Sequence, residues 1–452
     1  MQRLEQQSPG AVMAHLALDA AMPAQWIDEV FQTHRSRQYP RELLFSSVVE
    51  LMLLVTLGLR PSLHAAARRM RERLPVSLAA LYAKVKRTEP EVLRALVQGC
   101  AQRLQPLTAG VASQPNLPGW QLRVLDGNHL PASDKRLGPL RGYRGAALPG
   151  HSVVVYDPDT ALVCDIVACE DAYESERTGA ALLIAQAGAG QAWIADRHFC
   201  TQALLQGLHE QGAGFIVREH MRHPVLAEQG AWSEFAAIES GRVRQQSITL
   251  KQLGRDGAGL HWRRIEIELG TPTASGDTRI VLWSNLPDQV DAASIARLYR
   301  KRWSIENMFQ RLESVLHSEV RTLGHPRAAL LGFTVAVLAY NVLALIKQVT
   351  ERAHQATHPQ LDVSTYHLAV EITADYEAMV RLLPAEQLPR AQGDPQQLLR
   401  RLLELAKCLS PKQLATSKRA PKTTALKGYV DGAIARSHVA TDRVLKAATK
   451  RR

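Results

Sequence analysis

From Trp120 onward, short runs of β-forming residues replace the helical spacing that precedes them, and two of those runs stop at an aspartate. Residues 120–125 alternate toward Asp126-Gly127, and the apolar run 192–195 leads straight into Asp196. Between them, runs at 152–156 and 161–167 flank the turn Asp157-Pro158-Asp159-Thr160, which predicts a hairpin. Helical patterns fit 174–187 and 202–211, and a further strand fits 214–217. Three strands, then helix, strand, helix, strand, predict a mixed α/β sheet whose first three strands are antiparallel. If the strands ending at Asp126 and Asp196 are neighbours, both carboxylates emerge at one sheet edge.

The flanks read differently. Residues 1–115 form a helical region, with an apolar helix at 43–57 broken by Gly58 and Pro61. Ser62 is placed to cap a basic helix running to Arg73, and a third helix fits 78–87. Thr88-Glu89-Pro90-Glu91 has the capping-box pattern for a fourth. Helix, short turn and basic helix outline a helix-turn-helix reader of DNA, with Arg68 and Arg69 as candidate contacts.

Residues 116–217 carry the first part of the sheet, and 218–284 interrupt it. There, β-formers at 248–253, 260–269 and 279–284 predict a β-rich insertion. A single long helix is predicted from a cap at Asp291 to Arg321, within segment 285–325. Leu298, Ile305, Phe309, Leu312 and Leu316 form its apolar stripe.

Helices continue through 326–409. Residues 328–346 are apolar enough to raise the question of a membrane span. Thr334, Tyr340 and Asn341 interrupt the run and no second such segment occurs, so a buried helix of a soluble protein is expected, with no membrane partner. No internal repeat is present.

At 46% apolar and 22% charged residues, disorder along most of the chain is excluded. The formal net charge is +12, and its placement is uneven. Residues 60–87 hold eight basic side chains against Glu72 alone, and 410–452 hold eleven against two acids. The rest of the chain is slightly acidic. Two separated basic segments, the second a C-terminal arm, suit a protein that meets a polyanion at two places, and nucleic acid is the leading partner. Five scattered cysteines without paired spacing, and an N-terminus without a basic-then-apolar leader, predict a reducing cytoplasmic setting.

Asp126, Asp196 and Glu306, which lies beside the stripe of the long helix, are the candidate catalytic and metal-holding acids. Three converging carboxylates repel one another, and hard divalent cations with oxygen ligands relieve that repulsion. Two such ions activate a water and stabilise the leaving oxygen of a phosphodiester. Tyr299, Arg302 and Glu306, spaced i, i+3 and i+7, share a helix face, where a guanidinium and a phenol suit phosphate recognition. Lys135, Arg136, Arg141 and Arg144 are further phosphate candidates. Trp283 is either a core residue or a platform for an extruded base. His129, His151 and His198, near the acids in sequence, read as structural.

Asp126-Gly127, Ala195-Asp196-Arg197 and the stretch Tyr299-Arg-Lys-Arg-Trp-Ser-Ile-Glu306-Asn-Met-Phe309 resemble the DDE transposases of bacterial insertion sequences. The resemblance is to the group with a β-rich insertion and a tyrosine, arginine, glutamate, lysine signature on the last catalytic helix. It covers roughly residues 120–340. It implies an RNase H-like core with Asp126, Asp196 and Glu306 as ligands of Mg²⁺ or Mn²⁺, two ions, and Tyr299 and Arg302 on the DNA backbone. It also implies binding of double-stranded DNA at terminal inverted repeats, strand cleavage, strand transfer, and a homo-oligomer that pairs two ends. The signature lysine falls on Glu313 here. Two other readings stay open: a domesticated DNA-binding protein without cleavage, and a metal-dependent nuclease that does not join strands.

Overall fold

The computed structural model describes residues 2–417 apart from 37, 39–41, 71–73, 113, 252–258, 274–275, 385 and 392, together with 429–430 and 433–434. Two compact units are present, 1–415 and 416–452. In the second, Tyr429–Val430 pairs antiparallel with Ala433–Ile434, and most of the expected basic arm lies outside the described residues.

Seven helices open the first unit: α1 Gln2–Gln7, α2 Pro9–Ala21, α3 Ala24–His34, α4 Phe45–Thr56, α5 Leu63–Arg69, α6 Leu78–Val85 and α7 Pro90–Ala109. Ser62 caps α5 by accepting from the Ala65 N–H at 3.2 Å, as its position predicts. The expected capping box at Thr88 is not made. Thr88 Oγ1 donates back to the Lys84 carbonyl, and Glu89 precedes α7 without a side-chain cap.

The sheet follows: β1 Gln121–His129, β2 His151–Asp157, β3 Leu162–Cys169, α8 Glu176–Ile184, β4 Gln191–Ala195, α9 Gln202–Glu210 and β5 Gly214–Arg218. β1 pairs antiparallel with β2 and parallel with β4, β2 pairs antiparallel with β3, and β4 pairs parallel with β5. The order β3-β2-β1-β4-β5 with those directions is an RNase H-like mixed sheet.

The inserted strands are β6 Leu226–Gln229, β7 Ala236–Ile238, β8 Gly241–Lys251, β9 Gly259–Leu269 and β10 Arg279–Ser284. They continue the same sheet, because β10 pairs antiparallel with β5 and β9 with β10. The result is one ten-stranded sheet. β8 is longer than its apolar run suggests, since it zips against β9 from Gly241↔Leu269 to Lys251↔Gly259.

Next come α10 Ala292–Tyr299, α11 Trp303–Leu316, α12 Pro326–His354, α13 Thr365–Leu382, α14 Pro395–Lys407 and α15 Pro411–Leu414. The single helix expected from Asp291 to Arg321 is two. Asp291 caps the first, accepting from the Ser294 N–H at 2.6 Å, but the backbone tightens to a 3₁₀ turn at Arg300–Arg302. α11 then ends where His317 turns left-handed at φ 42° and the Ser318 N–H closes on the Leu312 carbonyl. The tightened turn moves the stripe, so Met308 is buried while Phe309 is only half-buried.

α12 is the one described helix long and apolar enough to cross a membrane, and its apolar stretch is wholly buried inside the protein. Its buried Asn341 does what a further strand would otherwise do for β3. Oδ1 accepts from the Val163 N–H at 2.8 Å, and Nδ2 donates to the Val163 carbonyl at 2.9 Å. The outer edge of the sheet is thereby satisfied where a helix covers it. Asn341→Leu strands both backbone groups in an apolar setting, and a loss of about 2–4 kcal/mol is expected from urea unfolding. Wild-type stability in that variant would show that β3 finds other partners.

Candidate active site

Parallel pairing of β1 with β4 ends at the step Leu125↔Ala195. Asp126 and Asp196 are the next residues on the two chains, and neighbouring strands lie about 4.8 Å apart. Asp196 follows β4 as expected, but Asp126 does not end β1. Antiparallel pairing with β2 carries that strand on through Asn128↔Ser152 and His129↔His151. Asp126 Oδ1 accepts from its neighbour's Gly127 N–H at 2.9 Å. Asp196 Oδ1 accepts from the His198 N–H at 2.7 Å and so caps the short turn Arg197–Phe199.

Glu306 sits in the first turn of α11. Arg302, in the 3₁₀ turn before it, reaches both neighbours: Nη1 is 2.8 Å from Glu306 Oε1 and 3.5 Å from Asp126 Oδ2. One guanidinium therefore sits between an acid of the sheet and the acid of the helix. Its plane lies over the exposed Trp303 ring, 4.8 Å from the centroid, and its Nε is buried without a partner. Tyr299 is buried, which pushes its hydroxyl up to about 12, and it lies beside Arg302.

Burial, with the charge of Asp196 beside it, pushes the Asp126 carboxyl up to about 7, against the opposing pull of Arg302 and the Gly127 N–H. Glu176 adds a smaller push in the same direction. Such a group needs a cation when ionised. All the donors are hard carboxylate oxygens, which fits Mg²⁺ or Mn²⁺ in chemistry. Among the described residues no three such side chains stand close enough to hold an ion, and Glu306 is paired with Arg302.

The other expected residues are dispersed. Arg68 and Arg69 are exposed at the end of α5, and Arg71 and Arg73, expected to prolong that helix, lie outside the described residues. Arg136, Arg141 and Arg144 are exposed in the loop after β1, at the Asp126 edge, while Lys135 Nζ donates to the Tyr143 carbonyl. Trp283 is fully buried. Its Nε1 donates to Glu219 Oε2 at 2.7 Å and its ring meets Trp262 and His223, so no base stacks on it. Glu313 is exposed on α11, seven residues beyond Glu306 and on its face. Glu176, at the start of α8, escaped the sequence reading. An acid in the first turn of the helix that crosses back over the sheet is its one signal, and helix starts attract acids anyway.

An RNase H-like sheet that delivers one aspartate from each of two adjacent parallel strands, faced by a glutamate on a later helix, defines a carboxylate nuclease-type core. Residues 121–342, just under half of the chain, match the family model of the transposase DDE domain, which supports a DDE transposase. Enzymes of that family generally use divalent metals and act on DNA. No curated protein matches the chain.

Proposed function

We propose that this protein is a DNA transposase that binds the terminal inverted repeats of its element, cleaves there and joins the freed end to a target. The observation that carries the reading is that Arg302 reaches both Asp126 and Glu306, while the charge of Asp196 acts on Asp126 from the end of the neighbouring strand. Asp126, Asp196 and Glu306 are the residues that would hold Mg²⁺ or Mn²⁺, two ions. Such ions would supply Lewis acidity for activating a water or 3′-OH and for stabilising the leaving oxygen.

The chain's own groups do the rest. Arg302, beside Tyr299, exchanges the carboxylates for a phosphate of the cleaved end, which a guanidinium binds in two-pronged fashion. That exchange returns Glu306 to the acid cluster. Exposed Arg68 and Arg69 support end recognition by the N-terminal helices, and Arg136, Arg141 and Arg144 support backbone contacts beside the site. The basic arm adds sequence-independent affinity. Pairing of two ends calls for at least two copies of the chain, working in the cytoplasm on double-stranded DNA.

Incubation of the full chain and Mg²⁺ with DNA taken from either side of its gene tests this. Nicks at the borders of paired inverted repeats are expected. Cleavage without regard to such borders would favour the nuclease reading instead.

Glu313 favours a second reading, a protein that binds ends without cutting them, since it sets an exposed anion where the signature has a lysine. Glu313→Lys is expected to tighten binding to a pre-cleaved end, by on the order of 1 kcal/mol, and to leave internal repeat DNA bound as before. Salt titrations of both duplexes check it. Equal affinities on the pre-cleaved end would turn that helix face away from DNA.

A further inference from the structure

Arg263 stands in β9, inside the β-rich insertion, yet its side chain reaches out of the insertion. It is buried, and Nη2 donates to three backbone carbonyls of the turn between β10 and α10: Leu286 at 2.9 Å, Pro287 at 3.1 Å and Val290 at 2.9 Å. Nη1 donates to Gln245 Oε1, on the neighbouring β8, at 3.3 Å. Nε is enclosed and makes no hydrogen bond among the described residues. Its salt-bridge partner, Asp288 Oδ1 at 3.8 Å, belongs to a side chain that is 94% exposed.

A guanidinium placed this way is a costly means of holding a fold together. Burial works against its charge, and a solvated carboxylate offsets little of that. What it supplies is geometry, because a rigid planar fork gathers several carbonyls at once and an apolar side chain gathers none. Those carbonyls lie in the turn that aims α10. The Val290 N–H closes on the Pro287 carbonyl, Asp291 caps the helix, and α10 then delivers Tyr299, Arg302 and, through α11, Glu306. The other end of the turn is tied to the core. Asn285 Oδ1 accepts from the Phe215 N–H at 2.7 Å, and Nδ2 donates to the Ala213 carbonyl at 2.9 Å. Asn285 thus fastens the turn to β5, and Arg263 fastens it to the insertion. α10 packs on β5, β8 and β9, so its angle depends on both.

We propose that Arg263 is a positioning residue of the active site: from the insertion it fixes the start of α10, and through α10 the placement of Arg302 and Glu306 against Asp126. Its effect on cleavage rests on the transposase reading given above. The insertion then has a mechanical duty toward the site, carried by a side chain that is buried and does not touch DNA.

Arg263→Met removes the donors, and Arg263→Lys keeps the charge without the planar fork. Single-turnover cleavage by the full chain at saturating DNA is measured beside end binding, and amide hydrogen exchange is followed in the free protein. Arg263→Met is expected to slow cleavage about tenfold or more with end binding unchanged, and Arg263→Lys to recover part of the loss. Exchange should quicken across residues 285–302 and stay at the wild-type rate in β1 and β4. In an Arg302→Lys background, Arg263→Met should slow cleavage by a smaller factor than it does alone, because the group it places is already altered. Wild-type cleavage in Arg263→Met, fully additive losses in the double variant, or unchanged exchange across 285–302 each overturns the proposal. If Arg263→Met fails to fold, Arg263→Lys decides, and wild-type cleavage and exchange in that variant overturn it. Absence of cleavage by the wild-type chain would overturn the transposase reading instead. Exchange then decides alone: quickening confined to 285–302 upholds the hold of Arg263 on α10, and unchanged exchange removes it.

Discussion

Asp126→Asn, Asp196→Asn and Glu306→Gln are each expected to abolish DNA cleavage while binding to element ends survives. Each replacement keeps the shape of the side chain and removes one negative charge from the acid cluster. Loss of one hard ligand from a phosphodiester site is expected to lower the rate by about a thousandfold or more, ~4 kcal/mol of transition-state stabilisation. End binding depends on cationic side chains and is untouched by these changes. Glu306→Gln is the most informative of the three. In the free protein Glu306 is the closer partner of Arg302, at 2.8 Å. If its only duty were to hold that guanidinium, the glutamine variant would cut DNA at nearly the wild-type rate. Cleavage gels read beside mobility shifts on the same duplex separate these outcomes.

The metal-free protein is expected to lose stability as pH rises through 7, and Asp126→Asn is expected to remove that loss. Burial and the neighbouring Asp196 raise the folded-state pKa of Asp126 from 3.8 to about 7. Between those values the folded chain holds a proton that the unfolded chain has released. The stabilisation is therefore full below the unfolded value and is lost as pH rises from there through the folded one, on the order of 4 kcal/mol in total. Half-buried His15 and His325 and buried His151, with lowered pKa values, contribute an opposite slope below neutrality. The difference between wild type and Asp126→Asn cancels them. Urea unfolding in chelator from pH 5 to 8.5 gives that difference, and a flat profile would place Asp126 in a solvated or already compensated setting. Added Mn²⁺ should restore part of the stability above pH 7 in wild type and less in Asp126→Asn.

Much of this fold was legible because its signals are local. Apolar runs ending at Asp126 and Asp196, the turn at Asp157-Pro158-Asp159-Thr160, and the caps at Ser62 and Asp291 each depend on a few adjacent residues. The features that escaped depend on partners distant in sequence. β1 runs past Asp126 because β2 pairs with it, and β8 is long because β9 matches it along its whole length. β6 and β7 are short and largely exposed, so no alternation marks them. The insertion looked like an addition to the core, yet its last strand joins β5 and makes one continuous sheet. Arg302 was legible as a helix-face partner of Glu306. That it also reaches Asp126 follows from the 3₁₀ turn and from how α11 meets β1, neither of which leaves a mark in the chain.

Strand transfer tests the central claim most directly. A duplex carrying the element's inverted repeat, already cut to expose its 3′-OH, is incubated with the full chain, Mg²⁺ and a supercoiled target plasmid. The account predicts covalent joining of that end to the plasmid, dependent on the divalent ion and absent in Asp126→Asn, Asp196→Asn and Glu306→Gln. Cleavage of the uncut repeat without any joined product from the pre-cut one would contradict it, and would make the protein a nuclease built on the same core.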